Sequence, residues 1–117
     1  MARTSNVFDF LNAGIRAETL RQKTIASNVA NLETPEYRSV GVKFEELLSK
    51  AMSSQGKVDM ANVKPEVYEM KQTAIKSNGN DVSLESEVGR MVKNTLRHKT
   101  YMRILRKKYD QIELAIK

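Results

Sequence analysis

Residues able to do covalent or metal chemistry are sparse in this chain of 117 residues. His98 is the single histidine and there is no cysteine, so a Cys-His nucleophile, a thiolate metal site and a disulfide framework are all excluded. Neither a histidine nor a carboxylate stands three or four residues after His98, which makes it a polar seam residue that helps set helix register rather than a metal ligand or pH switch. Two acid pairs, Glu45 with Glu46 and Glu85 with Glu87, are one and two residues apart and do not share a helix face. They read as solvated or helix-capping charges. Phosphate-cradling loops of the G-x-x-x-x-G-K-[ST] or G-x-G-x-x-G type are missing. An enzyme is therefore not expected, nor a metal, a cofactor or a small-molecule substrate.

The remaining chemistry is charge. Arg90, Lys93, Arg97, Lys99, Arg103, Arg106, Lys107 and Lys108 run without an intervening acid, and the whole chain carries a formal +6. Such a run could track phosphates, which makes a basic helical nucleic-acid-binding protein the strongest rival class. Against it, the charges spread around a helix instead of lining one edge, and no base-reading element is present. The run reads instead as a solvated and inter-subunit face that pairs with acidic groups of a neighbouring protein.

These residues must be positioned by helices. From Leu84 through Val88, Met91, Thr95, His98, Met102, Leu105, Tyr109, Ile112 and Ile116, seam residues recur at alternating spacings of four and three, a heptad pattern. It predicts a helix of ~50 Å at ~1.5 Å per residue, with Ser83 as N-cap and the acids Glu85 and Glu87 at the positive end of its dipole. A second helix is predicted from about Asn6 to Leu32, ended by Thr34-Pro35. Its seam holds Leu11, Ile15, Ile25 and Val29, interrupted by Glu18 and Gln22, and a second stripe of mostly small residues runs through Phe10, Ala13, Ala17, Leu20, Thr24 and Ser27. Two stripes predict more than one neighbour, and therefore assembly. Gly14 and Gly89, inside these helices at ~1 kcal/mol each relative to alanine, mark either close helix contact in an assembly or simple tolerance.

Between the helices, Val40, Val42 and Phe44 alternate as in a strand, and Phe44, Leu47, Leu48 and Ala51 fall at helical spacing. Ser53 to Gly56 reads as a loop, Val67 to Met70 as extended, and Ser77-Asn78-Gly79-Asn80 as a turn. The expected fold is mainly α: long N- and C-terminal helices packed as an antiparallel coiled-coil hairpin, with a short irregular or partly β middle segment. The corresponding divisions are residues 1–35, 36–82 and 83–117. No apolar run approaches a membrane span, and the amino end, interrupted by Arg3, Asn6, Asp9, Asn12 and Arg16, lacks the apolar core of a cleaved leader.

The segment Ala26-Ser27-Asn28-Val29-Ala30-Asn31-Leu32-Glu33-Thr34-Pro35-Glu36-Tyr37-Arg38 resembles the signature of flagellar basal-body rod and hook proteins, with Asn28, Ala30, Asn31, Thr34, Pro35 and Tyr37 at the family's positions. Glu36 stands where that family usually has glycine, so the turn is either a type II turn with a strained glutamate or a type I turn. A second stretch, Asn78 to Val88, is similar to the opening of the carboxyl helix in the FlgB branch of proximal rod proteins, with the FlgC branch as the alternative.

The resemblance implies a structural subunit of the periplasmic rod that self-assembles through its terminal helices, transmits torque and lines the export channel. It also implies passage through the flagellar type III apparatus without a cleaved leader. The partners it implies are neighbouring copies, FlgC-like and other rod proteins, the rod-base adaptor and the export gate. Asn28, Asn31, Thr34, Pro35 and Tyr37 would form the turn that redirects the chain outward. Leu84, Val88, Met91, Met102, Leu105 and Ile112 would form the assembly seam, with Leu11, Ile15, Ile25 and Val29 opposite. Ordering a residue costs about 1 to 2 kcal/mol and burying a seam side chain returns about 1.5 to 3, so the terminal helices are expected to be partly unfolded in a free monomer.

Overall fold

A computed structural model describes residues 2–53, 63–72 and 74–116, with side chains from residue 7 onward. Its elements in order are α1 (Ala2–Ala30), β1 (Val40–Lys43), α2 (Glu45–Ser53), β2 (Glu66–Glu69) and α3 (Leu84–Ile116). The molecule is mainly helical, with α1 and α3 packed together and a two-stranded sheet between them in sequence. It measures 62 × 33 × 15 Å. A helix with its side chains is ~10 Å across, so the plate is barely thicker than one helix and cannot enclose α3.

α1 begins before the predicted Asn6 and stops at Ala30, two residues short of Leu32. There the ladder tightens, the amides of Asn31, Leu32 and Thr34 each reaching back three residues. Tyr37 N–H then bonds the Thr34 carbonyl across Pro35-Glu36, and Glu36 takes φ 63°. This left-handed value rules out the type I alternative and is the one that a type II turn demands of its third residue. The strain is held in place from outside, because Glu36 N–H donates to the Asn78 carbonyl at 2.9 Å. α3 starts where expected: the Ser83 carbonyl accepts from Glu87 N–H, and its hydroxyl lies 3.4 Å from the Ser86 amide.

β1 and β2 pair antiparallel with Val40 opposite Glu69 and Val42 opposite Val67. The strand places Phe44 at its end, where the ring is buried against Ala13 and Ala17 of α1 and Val63, with Leu47, Leu48 and Ala51 of α2 packed around it. Ala13 and Ala17 of the small-residue stripe are thus covered by the chain's own middle segment, so at these two positions the second neighbour expected of α1 lies within the chain. Of the predicted 53–56 loop, Ser53 closes α2 and residues 54–56 lie outside the described residues.

Candidate assembly interface

The polar residues of the signature gather into one junction at the end of α1. Asn28, fully buried, behaves as a piece of backbone facing β1. Its amide donates to the Val40 carbonyl at 2.9 Å, and its oxygen accepts from Val40 N–H at 3.0 Å and from the Tyr37 hydroxyl at 3.1 Å. Tyr37 also meets the Ser27 hydroxyl. Asn31 donates to the Ser27 carbonyl, and the Thr34 hydroxyl donates to the Asn31 side chain. Pro35 takes the second position of the Thr34–Tyr37 turn, where its fixed φ fits.

From the opposite side, Asn80 donates to the carbonyls of both Asn31 and Thr34 at 2.8 Å and accepts from Val82 N–H. Lys76 donates to the Leu32 carbonyl, supplying a cation near the end of α1, which has no basic residue in its own last turn. Asp81 accepts from the amides of Ser39 (2.5 Å) and Gln72 (3.2 Å) and pairs with Arg38. Burial alone would push the Asp81 carboxyl up, but the Ser39 donors, the Gln72 amide and the Arg38 charge outweigh it and hold the carboxyl below the ordinary aspartate value.

Where α1 meets α3 the contact is polar too. Glu87, Asn94 and Tyr101, seven residues apart, face Asn28, Glu18 and Gly14. Asn94 donates to the Glu18 carbonyl at 2.7 Å, while Glu18 and Glu45 both grip Arg21 and so tie α2 to the hairpin. Burial would lower the Arg21 pKa, but hydrogen bonding to Glu45 and the charge of Glu18 raise it. For Glu45, burial pulls upward and the bond from Arg21 prevails, lowering the carboxyl. Burial, then the charges of Glu18 and Glu45, push the Tyr101 phenol up. Glu87 is fully buried, held by Asn28 and by Arg90 at 2.6 Å. It is not the solvated or capping charge expected from its place in the first turn.

Gly14 has a use within the chain: a Cβ there would sit 2.5 Å from the Tyr101 ring, a contact that explains the glycine better than either alternative drawn from the sequence. Gly89 faces open space. The Phe8 ring lies tilted against Tyr109 at 5.3 Å and Phe10 meets Tyr101 edge-on at 6.2 Å, extending the pairing toward the hairpin's open end.

Of the ten proposed seam residues, Leu11 and Ile25 are buried and Ile15, Leu105 and Ile112 half-buried. Leu84 (49% exposed), Val88 (47%), Met91 (50%), Met102 and Val29 face outward. The inner stripe of α3 stands one residue, ~100° of rotation, from Val88, Thr95 and Met102. Leucine, valine and methionine therefore stand to one side of the inner stripe of glutamate, asparagine and tyrosine, outside the contact with α1, and Val92, Leu96 and Ile104 are exposed elsewhere around the helix. Sequence reasoning assigned the seam by hydrophobicity and missed Glu18, Arg21, Glu87 and Asn94. Their signal was available in the shared seven-residue spacing of Glu87, Asn94 and Tyr101.

Arranged in this way, the molecule can hold a fixed angle between its long helices and its sheet, and it offers an apolar helix face for association. Among the described residues no group of three or more metal-ligating side chains exists, and no helix is long and apolar enough to cross a membrane. No family model matches the chain. It is 25% identical to the flagellar basal body rod protein FlgB of Borreliella burgdorferi over 93% of this chain and 94% of that protein. It is 25% identical to FlgB of Bacillus subtilis over 90% and 88%, and 24% identical to FlgB of Borrelia hermsii over 85% and 87%.

Proposed function

We propose, from the premise that this chain belongs to the flagellar basal-body rod proteins, a membership carried by its similarity to three FlgB proteins along most of its length, that it is a structural subunit of the proximal rod. The observation that carries the mechanism is the outward stripe of Leu84, Val88, Met91 and Met102. Exposed apolar side chains spaced at four and three along one helix gain ~25 cal/mol for each Å² covered by another molecule. The cover is supplied by neighbouring copies and by FlgC-like rod proteins. At the rod base the contacts are with the adaptor and the export gate of the type III apparatus.

Torque then passes through the polar junction. Asn28, Asn80 and Asp81 join α1, the turn and the start of α3, so a load on one helix is carried to the other without bending the chain between them. The paired helices line the export channel, and the sheet and α2 lie outward. Before assembly the two helices are held to each other largely by polar contacts, which suits a chain that orders fully only when its apolar face is covered.

Deletion of the gene in its host tests the assignment. The expected phenotype is loss of flagella with basal bodies lacking a rod in electron micrographs, restored by the gene in trans. An intact rod in the deletion strain would refute it. For the ordering step, hydrogen exchange on a verified monomer should find weak protection in α1 before Gly14 and in α3 after Tyr101, the parts farthest from the junction; strong protection there would count against it.

A further inference from the structure

A cleft of about 210 Å³ opens where α1, the two-stranded sheet and the first half of α3 meet. Its rim carries Arg21, Arg90, Lys93 and Arg97, and Tyr68 and Met70, side by side over Gly41 of the sheet, form part of its floor. Two of these cations are neutralised within the chain, Arg21 by Glu18 and Glu45 and Arg90 by Glu87. Lys93 and Arg97 are exposed and form no ion pair among the described residues; Arg97 reaches Glu45 only as a distant charge that helps lower its carboxyl. Lys43 adds another cation beside the floor, its Nζ 4.7 Å from the centre of the Tyr68 ring. A concave surface with surplus positive charge concentrates the field and draws an anion.

We propose that this cleft receives an acidic segment of a different rod subunit, in which two carboxylates flank an apolar residue. This deepens the rod assignment and rests on it. Lys93 and Arg97 stand four apart on α3, so they are neighbours on one face with Cβ atoms ~5–6 Å apart. In an extended segment residues i and i+2 point the same way ~7 Å apart, and residue i+1 points oppositely. Laid between α3 and the sheet, such a segment gives its two carboxylates to Lys93 and Arg97 and its apolar side chain to Tyr68 and Met70. A second copy is a poor occupant because each chain carries +6. Nucleic acid needs cationic contacts strung along its backbone, whereas the cleft gathers its cations at one point and has an apolar floor.

Photo-crosslinking in the host tests this. p-Benzoylphenylalanine replaces Tyr68 in one strain and Met91, on the outer stripe, in another, and adducts from irradiated, purified basal bodies are mapped by mass spectrometry. The expected Tyr68-site adduct joins a different subunit at a peptide with two acidic residues. Its yield should fall at least tenfold in the Lys93→Glu, Arg97→Glu double variant and return when the two partner carboxylates are changed to lysine. Circular dichroism of the purified double variant should match the parent, since neither side chain is bonded. A Tyr68-site adduct to a second copy or to nucleic acid, or one whose yield ignores the charge reversal, overturns the proposal. So does a Met91-site adduct in basal bodies with none from the Tyr68 site, a result that leaves the rod assignment standing. Absence of the chain from purified basal bodies overturns both.

Discussion

The junction at the end of α1 and the outer face of α3 invert the usual distribution of side chains. Asn28, Asn80 and Asp81 have essentially no solvent contact, whereas Leu84, Val88 and Met91 are about half exposed. Buried polar groups of this kind contribute little net energy but fix geometry, since each donor accepts only a narrow range of partners. Exposed apolar groups supply energy with no directional demand. In the rod role proposed above, the isolated chain is not the unit in which burial is completed: inside it, shape is specified, and outside it, the driving force for association is kept in reserve.

The comparison breaks most visibly at Asn28. Asn28→Ala removes the partners of Val40 N–H and of the Val40 carbonyl, and takes one of two partners from the Tyr37 hydroxyl and from Glu87, whose other carboxylate oxygen is already without one. Unsatisfied buried groups cost about 1 to 3 kcal/mol each, so a loss of about 3 kcal/mol or more is expected in urea unfolding. Gly14→Leu comes next. Its side chain would collide with the Tyr101 ring, and overpacking of this kind costs about 1 to 3 kcal/mol. The loss should be measurable in the monomer, before any assembly is attempted.

Asp81 sharpens the same comparison through pH. Its folded pKa lies below the ordinary value of 3.8, so its stabilisation is fully present above about pH 4 and is lost as pH falls through the lower, folded value. Asp81→Asn turns a donor toward amides that need an acceptor, and hydrogen bonds to a charged group are worth about 1.5 to 3 kcal/mol. Parent and variant should differ by about 2 kcal/mol at pH 7 and converge as the solution is acidified below pH 4.

Much of the fold was legible because its signals are local. The heptad spacing from Leu84 to Ile116 and the alternation at Val40, Val42 and Phe44 each report a period that the backbone imposes. The turn was legible from Thr34-Pro35, but its conformation was not. Whether Glu36 adopts φ 63° depends on the Asn78 carbonyl more than forty residues away, and no local rule contains that partner. The inner seam failed for a related reason: hydrophobicity marks where burial is favourable, not which neighbour provides it, so Glu18 read as an interruption of the seam, Glu87 as a solvated or capping charge, and Asn94 drew no notice, although all three are buried. Gly14 belongs with them, since its cause is a ring on another helix.

A smaller effect, of opposite sign, is expected at Glu36. Glycine adopts a positive φ without strain, so Glu36→Gly relieves what the φ of 63° imposes on a residue with a side chain. Relief of strain of about 1 to 3 kcal/mol is offset by the greater freedom of glycine in the unfolded chain. A gain of about 0.5 to 1 kcal/mol should appear as a higher urea midpoint with unchanged slope.

The smallest change in the monomer is expected where the effect on assembly is greatest. Val88→Ser with Met91→Ser alters two side chains that are already about half exposed, and surface substitutions of this kind usually stay within about 0.5 kcal/mol. If the outer stripe is the part of α3 that neighbouring molecules cover, each lost apolar contact recurs in every copy of the rod, so the double variant should fold like the parent and yet fail to restore motility or rods in a deletion strain. Unfolding curves and electron micrographs of the same variant decide the matter together. A large loss of monomer stability would mean that the outer face is already used within the chain, and normal rods would mean that it is used nowhere; either result would remove the contrast between a shape-giving inside and an associating outside.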